Sequence, residues 1–343
     1  MRNIALYIGI LFFVWNCKKE IGPQNLQEEV KGVGNLIVLN EGNFGFGNAS
    51  VSIYNPETKE IFNNQFKTEN GFGIGDVLQS VKRHEDKLYF VINNSGKIVI
   101  TDTNLVYQTE ITGFNSPRYI EFANGNGFVT DLKQKAVYVV DLASNQITNQ
   151  IKTEGWTEHI LAHQNRLYIM DRGDYLSNIG PNKIYIIDPI GKVKIDSIAT
   201  SISPNSMVID KNSNLWVLTS GKSGTEVPKL SKYSLATNSL MDEVSFISSS
   251  SPSRLVKNES SDELYYINSS IYRFNINDTA IPSVPFFNKS SENFYGLFYE
   301  KNSKELYLID AKNYNEQGEV IRVSSSAVIL DRFLAGIIPQ NLN

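Results

Sequence analysis

Only one of the 343 residues is cysteine and only three are histidine. A single thiol, Cys17, excludes an intramolecular disulfide, so the fold must be held by its core alone. Histidines at positions 84, 159 and 163 assemble neither a zinc site nor a His-based nucleophile triad. Positive charge is also scarce: 32 Lys and Arg stand against 36 Asp and Glu, for a formal net charge of -4, and no basic run occurs. That argues against nucleic acid or an anionic membrane surface as the main partner, since both are held through clustered Lys and Arg. No stretch keeps a 3.6-residue apolar period, so helix content is expected to be close to nil.

Long apolar runs are missing too. The stretch from Ile4 to Trp15 falls short of the roughly 20 apolar residues a membrane-spanning helix needs. Preceded by Arg2 and followed directly by Cys17, it reads as a signal-peptide core over residues 1–16. A sole cysteine at that place resembles the lipobox of bacterial lipoproteins, with Val14 fitting the pattern and Asn16 departing from it. The expectation is a lipidated Cys17 and a flexible tether over residues 17–34, rich in Gln, Glu and Gly and containing Pro23.

What the chain does have is repetition. A motif of the form Leu, aromatic or apolar residues, then Asp, Asn or Thr begins at Leu36, Leu88, Leu167, Leu215, Leu264 and Leu306, with a degenerate copy at Gly127. The copies recur on average about every 45 residues, the spacing of four-stranded propeller blades. A strand with period-2 alternation follows each, as in Val51 to Tyr54 and Val137 to Val140, and turns such as Asn55-Pro56-Glu57-Thr58 close many of them.

Units open with a further strand, often introduced by proline, as at Ser116-Pro117-Arg118, Ser203-Pro204-Asn205 and Ser251-Pro252-Ser253. This opening returns once more at Ile338-Pro339-Gln340, where the chain stops, whereas the first unit lacks an opening strand. The two fragments complete one another. The sequence therefore predicts an all-β, seven-bladed β-propeller over residues 35–343, with four-stranded blades and a ring closed by the C-terminal strand joining the first blade.

Blade topology sorts the loops between two faces. Turns such as Asn124-Gly125-Asn126 and Lys301 to Lys304 fall on the lower face and look structural, and His84 and His163 fall with them; His159 lies on an innermost strand. The upper face carries the loops leading into the innermost strands, which are longer and more aromatic. Candidate ligand-binding residues there are Asn43, Phe44, Phe72, Asp76, Asn93, Arg118, Lys133, Trp156, Arg172, Tyr175, Lys222, Arg254, Tyr295, Lys312 and Tyr314. Rings beside amides and charges suit a large, polar, partly flat ligand. The glycine runs are not dinucleotide fingerprints, since no helix follows to hold a pyrophosphate, and Gly221-Lys222-Ser223 is not a phosphate loop. The acids Asp131, Asp171 and Asp310 at strand ends read most simply as turn caps.

The segments Leu39 to Gly45 and Asn48 to Thr58, with the closing Ala335-Gly336-Ile337-Ile338-Pro339, resemble the YncE-type propeller lipoproteins of Bacteroidota, the group that includes the cobalamin-binding BtuG family. The resemblance implies a lipid-anchored outer-membrane protein, at the cell surface, that captures a corrinoid and passes it to a TonB-dependent transporter, without catalysis and with no cofactor. It carries over no ligand-contacting position. Two other classes stay open: an accessory scaffold of another outer-membrane uptake complex, and a lactonase- or lyase-like enzyme whose channel metal is held by groups such as Glu41, Asp131, Glu158, Asp171 or Asp310.

Overall fold

The structure, a computed structural model, describes residues 34–343 apart from 174–179 and 181. The signal-peptide, Cys17 and tether expectations lie outside the described residues, as does Tyr175.

Seven antiparallel sheets follow one another along the chain. Blade 1 orders β27 (Pro339–Leu342), β1 (Leu36–Asn40), β2 (Ser50–Asn55) and β3 (Glu60–Phe62) from the channel outwards. Blade 2 is β4 (Leu78–His84), β5 (Lys87–Ile92), β6 (Lys97–Asp102) and β7 (Tyr107–Thr112). Blade 3 is β8 (Pro117–Ala123), β9 (Asn126–Asp131), β10 (Ala136–Asp141) and β11 (Gln146–Lys152). Blade 4 is β12 (Thr157–His163), β13 (Arg166–Asp171), β14 (Lys183–Asp188) and β15 (Val193–Ala199). Blade 5 is β16 (Pro204–Ile209), β17 (Asn214–Thr219), β18 (Lys229–Ser234) and β19 (Ser239–Ser245). Blade 6 is β20 (Ser253–Lys257), β21 (Glu263–Asn268) and β22 (Ser270–Asn275), and blade 7 is β23 (Phe294–Glu300), β24 (Glu305–Asp310), β25 (Gln317–Val323) and β26 (Ile329–Ile337).

The repeated Leu-aromatic motif is the second strand of each blade. It is apolar almost throughout because both of its faces are covered by neighbouring blades: β5, β13, β17 and β24 are buried at every residue but the first. The outermost strands lose that cover, and β15 and β19 each expose their first four residues. Apolar side chains accordingly gather into seven clusters, each sandwiched between two successive sheets.

Ring closure occurs as the sequence predicts. β27 pairs antiparallel with β1, setting Val38 opposite Leu342 and Leu39 opposite Asn341. Leu342 is buried with Leu36, Val38, Tyr54, Tyr307 and Phe333, so both chain ends share one cluster with blade 7. Tyr54 stacks on Phe333 with centroids 3.9 Å apart, and its hydroxyl donates to Asp331 at 2.7 Å. The closing strand lies so close to blade 7 that a Cβ on Gly296 would collide with the Gln340 carbonyl.

Two details depart from the expectation of uniform four-stranded, helix-free blades. Blade 6 has three strands among the described residues; the free side of β22 is covered at Ile271, whose N–H donates to the Phe287 carbonyl at 3.0 Å. A six-residue helix, α1 (Gln65–Asn70), lies between blades 1 and 2. It buries Phe66 in their shared cluster, and Asn70 donates to the Leu105 carbonyl at 2.8 Å.

Truncation of Leu342 should therefore act on the whole ring. Leu342→Ala is expected to destabilise by about 2–5 kcal/mol in urea unfolding, the usual range for a deleted core leucine. Leu334→Ala, at an exposed position of β26, should stay within about 0.5 kcal/mol.

Candidate functional site: the upper mouth of the channel

All seven innermost strands break register at the same place. The ladder with the second strand slips at Gln340, Gln79, Arg118, Glu158, Asn205, Arg254 and Tyr295, each the second residue of its strand. A β-bulge re-aims the side chain it carries. All seven bulged side chains are polar, and together they ring the upper mouth of the channel.

Most of this ring fastens one blade to the next. Gln340 of blade 1 donates to the Leu78 and Gln79 carbonyls of blade 2 at 2.6 and 2.7 Å, and Gln79 reaches the Tyr119 hydroxyl of blade 3 at 3.4 Å. Arg118 of blade 3 donates to Glu158 of blade 4 at 2.8 Å. Asn205 of blade 5 donates to the Pro252 carbonyl at 2.9 Å, on the approach to blade 6. Arg254 of blade 6 donates to the Tyr295 carbonyl of blade 7 at 2.8 Å, and the Tyr295 hydroxyl returns to blade 1 by donating to Glu41 at 2.9 Å.

Charge is concentrated there. Glu158, 5% exposed in its side chain, accepts from Arg118 and also from Arg172 at 3.3 Å. Burial alone would raise its pKa, but the two guanidinium groups outweigh burial and hold it at about 2. Its neighbour His159 stacks on Tyr119 at 4.4 Å. Burial pushes this imidazole down to about 4; attraction to Glu158 opposes the shift, while Arg254, Arg118 and Arg172 add to it. Glu41 is raised by burial, the Tyr295 hydrogen bond and the charges of Arg118 and Arg254 only partly offsetting that. Arg254 lies with its guanidinium 5.1 Å from the Tyr295 ring centre. It forms no ion pair with any described residue.

Around this mouth stands an aromatic rim. Phe44 is 69% exposed and Phe72 46%. The Phe44 loop is tied down: Asn43 donates to the Tyr314 carbonyl at 2.7 Å and Gly45 N–H donates to Asp76 at 2.8 Å; Phe72 lies instead on the outer flank, edge-on to Phe66 of α1 and to Tyr107 at the start of β7. Tyr314 is exposed and meets Tyr295 edge-on at 5.6 Å.

The structure thus brings Arg118, Arg172, Arg254 and Tyr295 together at the mouth, and Asn43, Phe44, Asp76 and Tyr314 along the adjoining rim, and leaves Phe72 away from both. Asn93 is buried in the seam between blades 2 and 3, donating to Ser116 Oγ at 2.9 Å and the Pro117 carbonyl at 3.0 Å. Its amide is therefore committed within the protein. Trp156 is half-buried and ladders through its backbone with Gly173 and Arg172. Lys133 and Lys222 are exposed on separate loops, and Lys312 is half-buried. Reading the sequence loop by loop missed Gln79, Tyr119, Asn205 and Gln340. For Asn205 and Gln340 the signal was the strand-opening proline that each directly follows, as Arg118 does.

The acids at strand ends are caps. Asp131 accepts from the Asn115 and Ser116 N–H groups at 2.8 and 2.9 Å, Asp171 from Gly155 and Gly173 at 2.7 and 3.0 Å, and Asp310 from Asn293 and Lys312, both at 2.8 Å. Among the described residues no three His, Cys, Asp or Glu side chains gather as a metal ion needs. On the lower face His84 and His163 end β4 and β12, and His84 stacks on Phe122 at 4.2 Å.

The mouth gives two stability predictions. Glu158→Gln leaves Arg118 and Arg172 without their shared counter-charge and should cost about 3 kcal/mol in urea unfolding. The second concerns pH. Unfolded His159, near its ordinary 6.5, binds a proton more readily than the folded imidazole at about 4. Stability should then fall as pH drops from 6.5 to 4, and Glu158 extends the loss from its ordinary 4.5 towards 2. Glu41, shifted the other way, offsets part of this. His159→Gln should flatten the urea midpoint between pH 6.5 and 4.5 while keeping the acid limb below it.

Comparison with solved structures places the fold among known propellers. A quinoprotein alcohol dehydrogenase-like protein from Bacteroides thetaiotaomicron is 16% identical, with a TM-score of 0.69 over 90% of this chain and 77% of that one. The dihydro-haem d1 dehydrogenase is 12% identical, with a TM-score of 0.59 over 90% and 75%. Hydrazine synthase of Kuenenia stuttgartiensis is 16% identical, with a TM-score of 0.55 over 70% and 73%. At such identities the likeness shows the fold alone. A search of the curated proteins finds no match. Residues 34–327 match the family described as a domain of unknown function, DUF5074, and the chain belongs to that family.

Proposed function

We propose that this protein is a capture propeller, binding a large, polar and partly flat nutrient across its upper face without converting it. The observation that carries this reading is the pair of exposed rings, Phe44 and Tyr314, beside a polar channel mouth. Exposed rings on loops fixed by hydrogen bonds provide apolar contact area at little ordering cost, and the mouth provides directional polar groups.

The ligand class proposed is a corrinoid, whose flat macrocycle and polar side arms suit such a face. The resemblance of Leu39 to Gly45 and of Ala335 to Pro339 to the YncE-type lipoproteins supports that choice. The same resemblance supports lipidation at Cys17, an outer-membrane address and delivery to a TonB-dependent transporter.

Isothermal titration of the purified protein with cyanocobalamin and with cobinamide tests the reading. Binding is expected with at least one of them, and Phe44→Ala and Tyr314→Ala should each weaken it by about tenfold, the loss typical of an aromatic anchor. Absence of heat with both corrinoids would overturn the assignment.

A further inference from the structure

The lower face is uneven beneath blade 1. In the neighbouring blades a short turn joins the two innermost strands and covers the lower end of the sheet, residues 85–86 between β4 and β5 and residues 301–304 between β23 and β24. Blade 1 takes β27 and β1 from distant parts of the chain, so no turn joins them. The pair ends with the Ile37 N–H donating to the Asn343 carbonyl at 3.0 Å and the Asn343 N–H returning the bond. A cavity of about 740 Å³ lies there, between the turns of blades 7 and 2. Its wall is apolar. Leu36 and Tyr307 come from the cluster that blade 1 shares with blade 7, and Ile53, Leu88 and Leu105 from the one it shares with blade 2. All five are buried, so the wall is the underside of two core clusters. The volume falls within the roughly 300–1,000 Å³ of sites that take small organic ligands.

Three acids and three bases line this cavity, and they are not equally committed. Arg322 is spent on Glu305 at 2.8 and 3.1 Å and on the Pro56 carbonyl at 2.6 Å. Glu300 caps its own turn, accepting from the Asn302 amide at 2.8 Å and the Ser303 N–H at 2.6 Å. Glu69 of α1 is engaged as well, and Glu57 stands beside it at the outer end, on the β2–β3 turn. Arg83 of β4 and Lys301 of the β23–β24 turn belong to the innermost strands and stand at the end nearer the channel. Arg83 donates through Nε to the Glu85 carbonyl at 3.2 Å, and neither base has a carboxylate partner among the described residues. We infer that this cavity is a second binding site, taking an amphiphile with an apolar body and an anionic head. The body lies against Leu36, Ile53, Leu88 and Leu105, and the head points to Arg83 and Lys301. Apolar area removed from water supplies the affinity, and the two uncommitted bases select the sign of the head. Glu57 repels an anion at the outer end, which leaves one orientation. The site is separate from the upper face and owes its existence to the way the ring closes.

Three amphiphiles that share a twelve-carbon tail and differ in head make the test: dodecanoate, dodecyltrimethylammonium and dodecyl maltoside, each kept below its micelle-forming concentration. In isothermal titration of the purified protein, dodecanoate should bind at least about tenfold more tightly than either of the others. Arg83→Gln and Lys301→Gln should each weaken dodecanoate by about fivefold or more and leave the maltoside unchanged. Both side chains are exposed, so neither variant disturbs the core. Absence of heat with dodecanoate, equal binding of all three, tighter binding of the ammonium, or dodecanoate affinity that survives the double variant overturns the proposal. Cyanocobalamin, titrated into the same variants, reports on the upper face. Corrinoid binding without dodecanoate binding would sink the lower site and leave the capture reading standing, and the opposite result would do the reverse.

Discussion

The pairing of β27 with β1 is the contact on which the rest depends. Every sheet of the ring is apolar on both faces and needs a neighbour on each side. In an open array blades 1 and 7 would each expose one such face. Joining Val38 to Leu342 and Leu39 to Asn341 removes both exposures and seals a sheet edge in the same step. It also fixes the channel, because blade 1 has no innermost strand until the last residues supply it. The tolerance of this joint is small, as the contact of Gly296 with Gln340 shows.

Register slips give the mouth its character. In a regular ladder the second residue of each innermost strand would alternate with its neighbours and pack between blades. The bulge turns it out of that alternation, and the seven positions can then hold amides, charges and a tyrosine without burying them among the apolar clusters. One irregularity repeated seven times thus fastens blades together and leaves chemistry at the axis. The asymmetry lies in residue type alone. Gln340, Gln79 and Asn205 are short-range fasteners, whereas Arg118, Glu158 and Arg172 gather charge on blades 3 and 4 and Arg254 carries it on blade 6.

The blade number and the closure were legible because they follow from apolar patterning and strand-opening prolines, both local in sequence. Caps such as Asp131 and Asp310 were legible for the same reason, since an acid at a strand end serves N–H groups on the adjacent loop. The six-residue α1 was not, because one buried phenylalanine in a stretch that short has no period to detect. Nor was the three-stranded form of blade 6, where the backbone of Phe286 and Phe287 bonds to Ile271 beside β22. The ring at the mouth escaped because its members are alike in position and unlike in chemistry. Loop-by-loop reading selected Arg118, Arg254 and Tyr295 by residue type and passed over Gln79, Asn205 and Gln340, which are the same position in other blades.

Placing the closing strand after every other strand of the ring has a temporal consequence. A ribosome makes Pro339–Leu342 after the other strands of the ring, and these residues leave its tunnel only after those strands have emerged. Blades 2 to 6 can form in turn as they appear, but the circle cannot shut before β27 emerges. Until then, the nascent chain is a curved row of sheets with an unfilled slot in its first blade, and any chaperone or premature stop that acts in that interval meets an open molecule.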